Sequence, residues 1–254
     1  MHIQNESSLT HQRTDWIPSF IVFARNGLLV SHPSSESFSG VSTRSKTLVV
    51  GILGGIGAGK SAVSRGLSKH FKTYLIDADR VGHDVLGIPI VRDGIRRDFG
   101  DSVFDESEIN RKSLARQVFG SQIHHQQALI KLEKIVHPAI RRQVEKQLTE
   151  VSEETEVVVL DAAVMLEAGW NDLCDTIVFV DTPFETRLKR VEENRGWTAD
   201  ELRLRESSQV SLDDKQEVSE FVIDNSGSLE NAIGQLASFI KKKLNYFYLP
   251  SEFS

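Results

Sequence analysis

Apolar and polar positions change period several times along this chain, and each change marks an element. Thr47 to Leu53 is an apolar run of strand length, as are Thr73-Tyr74-Leu75-Ile76, Val157-Val158-Val159-Leu160, Thr176 to Val180 and Phe221-Val222-Ile223. Short, unbroken apolar runs suit strands buried on both faces of a parallel sheet. Between them the period lengthens. Ala62 to His70, most of Arg80 to Leu148, Phe184 to Glu193 and the stretch ending at Leu244 read as helices. Val136, Ile140, Val144 and Leu148 recur every four residues around His137-Pro138, with proline expected in the helix's first turn. Thr182, Pro183 and Glu185 read as a capping box opening the next helix, and Asp79 as the cap of a helix starting near Arg80. Strands alternating with helices predict an α/β fold of three layers around a parallel five-stranded sheet.

The first two elements enclose Gly54-Gly55-Ile56-Gly57-Ala58-Gly59-Lys60-Ser61, followed by Ala62. Strand, glycine loop, Lys-Ser and helix form the P-loop context, in which backbone N–H groups cradle phosphates. Lys60 is placed to reach β- and γ-phosphates and Ser61 to ligate Mg²⁺. A plain glycine turn would not require the Lys-Ser pair. A dinucleotide fingerprint starting at Gly55 would need glycine where Lys60 stands. The expected ligand is therefore a nucleoside triphosphate with Mg²⁺.

Ligands of open parallel sheets sit at the carboxyl ends of the strands. Those ends carry Asp77 and Asp79, Asp161, Asp181 and Thr182, and the turn Asn225-Ser226-Gly227. Asp161, closing an apolar strand, fits the acid that contacts the metal, although a helix cap is its plainer role. Ala162 follows it where many hydrolases carry a water-activating glutamate, so transfer to an acceptor is favoured over hydrolysis. Asp161-Ala162-Ala163-Val164 does not supply the D-x-x-G that a GTPase carries after this strand, and no N-K-x-D is present. A hydroxyl acceptor needs a carboxylate to take its proton, and Asp77 or Asp79 is placed for that. Candidate mobile cations for the β/γ bridge are Arg187 and Arg190 on the helix after the fourth strand, and Arg195, Arg203, Arg205 and Lys215 in the polar segment after it. That segment is expected to close as a lid over about residues 191–215, a solvated charged hairpin being its bland alternative.

These pieces, in this order from Val49 to about Leu244, resemble the dephospho-CoA kinase family. The quoted matches are the glycine loop, Ile76-Asp77-Ala78-Asp79, His137-Pro138, Asp161 through Glu167, Leu188-Lys189-Arg190, Gln209 with Lys215, and Val222 to Gly227. The resemblance implies transfer of the ATP γ-phosphate to the ribose 3′-hydroxyl of dephospho-CoA. It makes Asp79 the base, Lys60 and Arg190 the charge-stabilising cations, and Asn225 and Gly227 neighbours of the ATP base. Asp77, Asp79, His137 and Asp161 would face the acceptor, within a helical acceptor-binding part spanning about residues 80–150. Asp161-Ala162-Ala163-Val164-Met165-Leu166-Glu167 lacks the proline of the usual D-x-P-L-L-F-E and looks like the kinase half of the animal bifunctional coenzyme A synthase. Ser219-Glu220 stands where the family usually has Ala-Asp. Another P-loop small-molecule kinase, or a nucleotide-binding protein without turnover, are the competing readings.

Composition adds exclusions. Of 254 residues, 39% are hydrophobic and 26% charged, as in globular proteins generally. A formal net charge of −6 argues against nucleic acid as a partner. Cys174 is the single cysteine, which excludes a disulfide framework and reads as a small core residue. No apolar run is long enough to span a membrane. Residues 1–46 are expected to be a disordered extension or a leader, 47–244 the kinase domain, and 245–254 a tail. The expected compartment is the cytoplasm, or the mitochondrion if residues 1–46 are a targeting leader; the pattern sets no oligomeric state.

Overall fold

The computed structural model describes residues 47–120 and 122–247. The expectations for residues 1–46 and for the tail beyond residue 247 lie outside the described residues. Five parallel strands form the central sheet: β1 (Leu48–Gly54), β2 (Thr73–Asp77), β5 (Val157–Asp161), β6 (Thr176–Asp181) and β7 (Phe221–Asp224). Their order is β2-β5-β1-β6-β7, which puts the glycine-loop strand at the centre. Two further short strands, β3 (Phe104–Asp105) and β4 (Glu108–Ile109), make an antiparallel hairpin apart from this sheet. That hairpin was not anticipated, because two-residue strands show no period.

The apolar runs bury both faces, as their continuity implies. Alternate residues divide between two cores. Leu53, Ile76, Val158, Leu160 and Phe179 face one side. Leu48, Val50, Ile52, Val157, Val159, Val178, Val180 and Ile223 face the other. The second side is covered by α1 (Lys60–Gly66) and α9 (Leu229–Phe247). Helix α9 presents Ala232, Leu236, Ala237, Ile240 and Leu244, a helical stripe of period 3.6. It continues three residues past the expected end at Leu244.

The first side carries a helical block of α2 (Ala78–Val85), α3 (Pro89–Phe99), α4 (Arg111–Val118) and α5 (Ile123–Glu150). Here the proline expectation is corrected. Pro138 lies inside the 28-residue α5 and does not open it. An internal proline removes one hydrogen bond and costs about 3 kcal/mol. The helix continues because its buried stripe runs through the site, with Leu129, Leu132 and Val136 before Pro138 and Ala139, Ile140 and Val144 after it.

Past β6 come α6 (Phe184–Arg195), α7 (Ala199–Glu206) and α8 (Leu212–Glu217). The expected capping box at Thr182 is absent: Pro183 is the N-cap of α6 and makes no side-chain cap. Thr182 is committed elsewhere, donating to the Ala58 carbonyl at 2.9 Å. A capping box does form at α7, where Thr198 and Glu201 exchange hydrogen bonds. Among the described residues, no helix is long and apolar enough to cross a membrane.

Leu236 has no exposure and sits in the α9 core, whereas Leu204 is 68% exposed. Leu236→Ala is expected to cost about 2–5 kcal/mol, and Leu204→Ala within roughly 0.5 kcal/mol. Urea unfolding read by circular dichroism checks this, through a lower midpoint at unchanged slope for the first variant alone.

Candidate active site

The glycine loop turns at the carboxyl end of β1. Gly57 has φ 78° and Gly59 φ 90°, conformations that side-chain-bearing residues rarely adopt. A Cβ on Gly57 would stand 2.9 Å from the Arg187 carbonyl, and one on Gly59 2.9 Å from the Asn225 amide nitrogen. Among the described residues, the N–H groups of Gly57, Gly59, Lys60 and Ser61 find no protein acceptor. Converging free N–H groups at a helix start are what an anion requires.

The loop's outward side is fully engaged. The Ala58 carbonyl accepts from the Thr182 hydroxyl at 2.9 Å, the Asn225 amide at 2.7 Å and the Arg190 guanidinium at 3.2 Å. Arg190 also donates to the Gly57 carbonyl at 3.2 Å. Arg187 is buried, donates to the carbonyls of Thr182 and Ile56, and is ion-paired with Glu206. Glu206 in turn accepts from the Ile56 N–H at 3.1 Å. Arg187 is thus a brace for the loop, which corrects its reading as a mobile cation. The other arginines of the segment pack on aromatic rings: Arg195 and Arg205 on Trp197, and Arg203 on Phe184.

Lys60 folds back on its own loop, donating to the Gly54 and Gly55 carbonyls at 3.2 and 3.4 Å. The Ser61 hydroxyl donates to Asp161 at 2.7 Å. Sheet register sets Asp161 beside Asp77 at the adjoining ends of β5 and β2. The N-cap of α2 is Asp77, which accepts from the Arg80 N–H at 3.0 Å, so the cap expected of Asp79 belongs to Asp77. Asp79 falls in the first helical turn instead, and its carboxyl makes no hydrogen bond among the described residues. It stays accessible to solvent while standing deep between the loop and the helical block. That desolvation, with the negative charges of Asp161 and Asp77, pushes its pKa up to about 6.

Asp79 also borders a cleft of about 500 Å³, open solvent included, between α2, α5 and the loop after β5. Its walls are mainly apolar, with Leu129, Leu132, Val136, Val164 and Trp170 among them. His137 lines it, edge-on to Trp170 with ring centroids 5.7 Å apart, and burial lowers its pKa. Glu133, one helical turn before His137, lines it too. The sequence reading missed Glu133, although spacing by four on α5 from His137 was the available signal.

Lys215, only 1% exposed, donates to Gln209 at 2.7 Å, and burial lowers its pKa to about 8. Gln209 and Lys215 therefore meet, as do Ser61 and Asp161. Asn225 meets the loop, whereas Gly227 is exposed, and a Cβ built on it would meet nothing within 4 Å. Glu220, the departure near β7, accepts from the Thr176 hydroxyl at 2.7 Å and pairs with Lys243. Cys174 is half-buried beside Gly51, and its thiol is pushed up to about 12 by burial, consistent with a packing role.

A P-loop at the centre of a parallel sheet, with carboxylates at the strand ends and no following glutamate, defines a phosphotransferase of the P-loop kinase class. A model of the dephospho-CoA kinase family matches residues 48–231. The dephospho-CoA kinase of Thermobifida fusca is 34% identical over 193 residues, covering 75% of this chain and 93% of that protein. The enzyme of Carboxydothermus hydrogenoformans is 35% identical over 198 residues, covering 76% and 93%. A crystal structure from Thermus thermophilus superposes with a TM-score of 0.67 at 27% identity, over 78% of this chain and 98% of that one. The chain belongs to the dephospho-CoA kinase family.

Asn225→Ala leaves the Ala58 carbonyl with two donors and is expected to lower stability by about 1–3 kcal/mol. It should also shrink the rise in Tm that ATP produces in the wild-type protein. Thermal melts with and without ATP read both effects; an unchanged ATP-induced rise would show that the anchor is dispensable.

Proposed function

We propose that the chain transfers the γ-phosphoryl group of ATP to the ribose 3′-hydroxyl of dephospho-CoA, giving coenzyme A and ADP. The observation that carries the residue roles is Asp79. Of Asp77, Asp79 and Asp161 it is the one whose carboxyl makes no hydrogen bond among the described residues, and it stands near pKa 6 between the phosphate cradle and an apolar cleft. Asp77 is held by its cap, and Asp161 by Ser61. Asp79 can therefore accept the acceptor's proton as the O–P bond forms.

The free N–H groups from Gly57 to Ser61 would hold the β- and γ-phosphates. Lys60, moving from the carbonyls it now contacts, would neutralise charge on the transferred group, joined by Arg190 from the lid side. The Asn225 to Gly227 turn would border the base of ATP. Ser61 and Asp161 suit Mg²⁺: their two hard oxygens stand 2.7 Å apart, as neighbouring ligands do around an ion taking oxygens at about 2.0–2.1 Å. Held there by Ser61 and Asp161, the ion would neutralise charge on the phosphates. Residues 80–150 would form the acceptor-binding part, with Asp77, His137 and Asp161 also turned to the acceptor. The segment of residues 191–215 would close as a lid and exclude water.

A coupled ADP-release assay over a panel of acceptors tests the assignment. Dephospho-CoA is expected to drive ADP formation in equal amounts while nucleoside monophosphates do not; turnover of another alcohol in its place would redirect the assignment. Asp79→Asn is expected to lower kcat by about 10²-fold or more. In the wild type, kcat/KM for the acceptor should climb with pH as the base deprotonates near 6. A profile flat from about pH 5 to 7 would move the role away from Asp79.

A further inference from the structure

We propose that the cleft beside Asp79 seats the adenine of the acceptor and that Glu133 pairs with that base through its exocyclic amine and ring N1. This rests on the dephospho-CoA reading above. The cleft walls contain no lysine or arginine. A diphosphate would find no counter-charge there and two acids, Asp79 and Glu133, to repel it. The acceptor's adenine is attached to the same ribose as the reacting hydroxyl, whereas its pantetheine arm lies beyond the diphosphate. With the 3′-hydroxyl at Asp79, adenine is the apolar group that can enter the cleft without dragging phosphates into it. The half-buried ring of His137, held edge-on by the buried Trp170 behind it, offers aromatic surface to the base.

An adenine buried among apolar walls still needs partners for its edge. Glu133 is half-buried, lines the cleft and makes no hydrogen bond among the described residues. Burial, with the Glu167 charge across from it, pushes its carboxyl up to about 7. The groups facing it are Asp79 from α2, His137 on α5 and Glu167 after β5. A protonated carboxyl donates one O–H and keeps an acceptor oxygen. It can donate to N1 while accepting from the amine, matching on this edge the donor-and-acceptor pattern that glutamine makes with the amine and N7 of adenine. An ionised carboxylate would set a second lone pair against N1.

The test uses the purified full chain with ATP and two acceptors, dephospho-CoA and its 1-deazaadenine analogue, which has C–H in place of N1. Wild-type protein is expected to show KM about tenfold higher for the analogue. Glu133→Leu should raise KM for dephospho-CoA about tenfold, leave kcat and the KM for ATP close to wild type, and abolish the difference between the two acceptors. Glu133→Gln should restore KM to within about threefold of wild type, and remove the rise in KM that the wild type shows above about pH 7. Wild-type-like KM and an undiminished analogue penalty in Glu133→Leu would overturn the proposal alone. Failure of the wild type to turn over dephospho-CoA at all would overturn the acceptor reading with it.

Discussion

The structure depends on one carbonyl. A phosphate cradle needs its N–H groups aimed inward, which leaves the loop's carbonyls aimed outward and in need of donors. At Ala58 these donors are Thr182, Asn225 and Arg190, reaching in from the end of β6, the end of β7 and helix α6. Their meeting requires the sheet register that pairs Gly54 with Val180 and Asp181 with Asp224. A one-residue slip would turn each strand's side chains to the opposite face and withdraw these donors. The apolar runs that bury both sheet faces therefore also determine the shape of the loop.

A second constraint is the crowding of Asp77, Asp79 and Asp161 at adjoining strand ends. Like charges this close repel one another, so each needs a partner. Asp77 is stabilised by a backbone N–H at the start of α2, and Asp161 accepts the Ser61 hydroxyl. Asp79 makes no such bond, and its desolvation first, then the charges of Asp161 and Asp77, hold its pKa near 6. The same first turn of α2 that caps on Asp77 thus sets Asp79 facing both the cradle and the apolar cleft.

Much of this was legible in sequence because strand and loop signals are local. The five apolar runs gave the sheet, and Gly54 to Ser61 gave the cradle. Errors arose where one residue had two suitors. Thr182 matched a capping pattern, yet the Ala58 carbonyl claims its hydroxyl. Pro138 matched a helix start, yet packing on both sides carries α5 through it. Arg187 was one arginine in a charged stretch, and its burial against Glu206 depends on tertiary contact. Glu133 lay inside a helical block whose inward face becomes visible only when α2 and the Trp170 loop are placed against it.

The cradle fixes the donor and the cleft fixes the acceptor, so the position of the transferred phosphate is the most direct measure of the account. With Mg²⁺, ATP and dephospho-CoA, phosphorus NMR of the isolated product should show one new monoester, on the ribose 3′-oxygen, formed in step with ADP. A monoester on the 2′-oxygen, or ADP released without any ester, would contradict it.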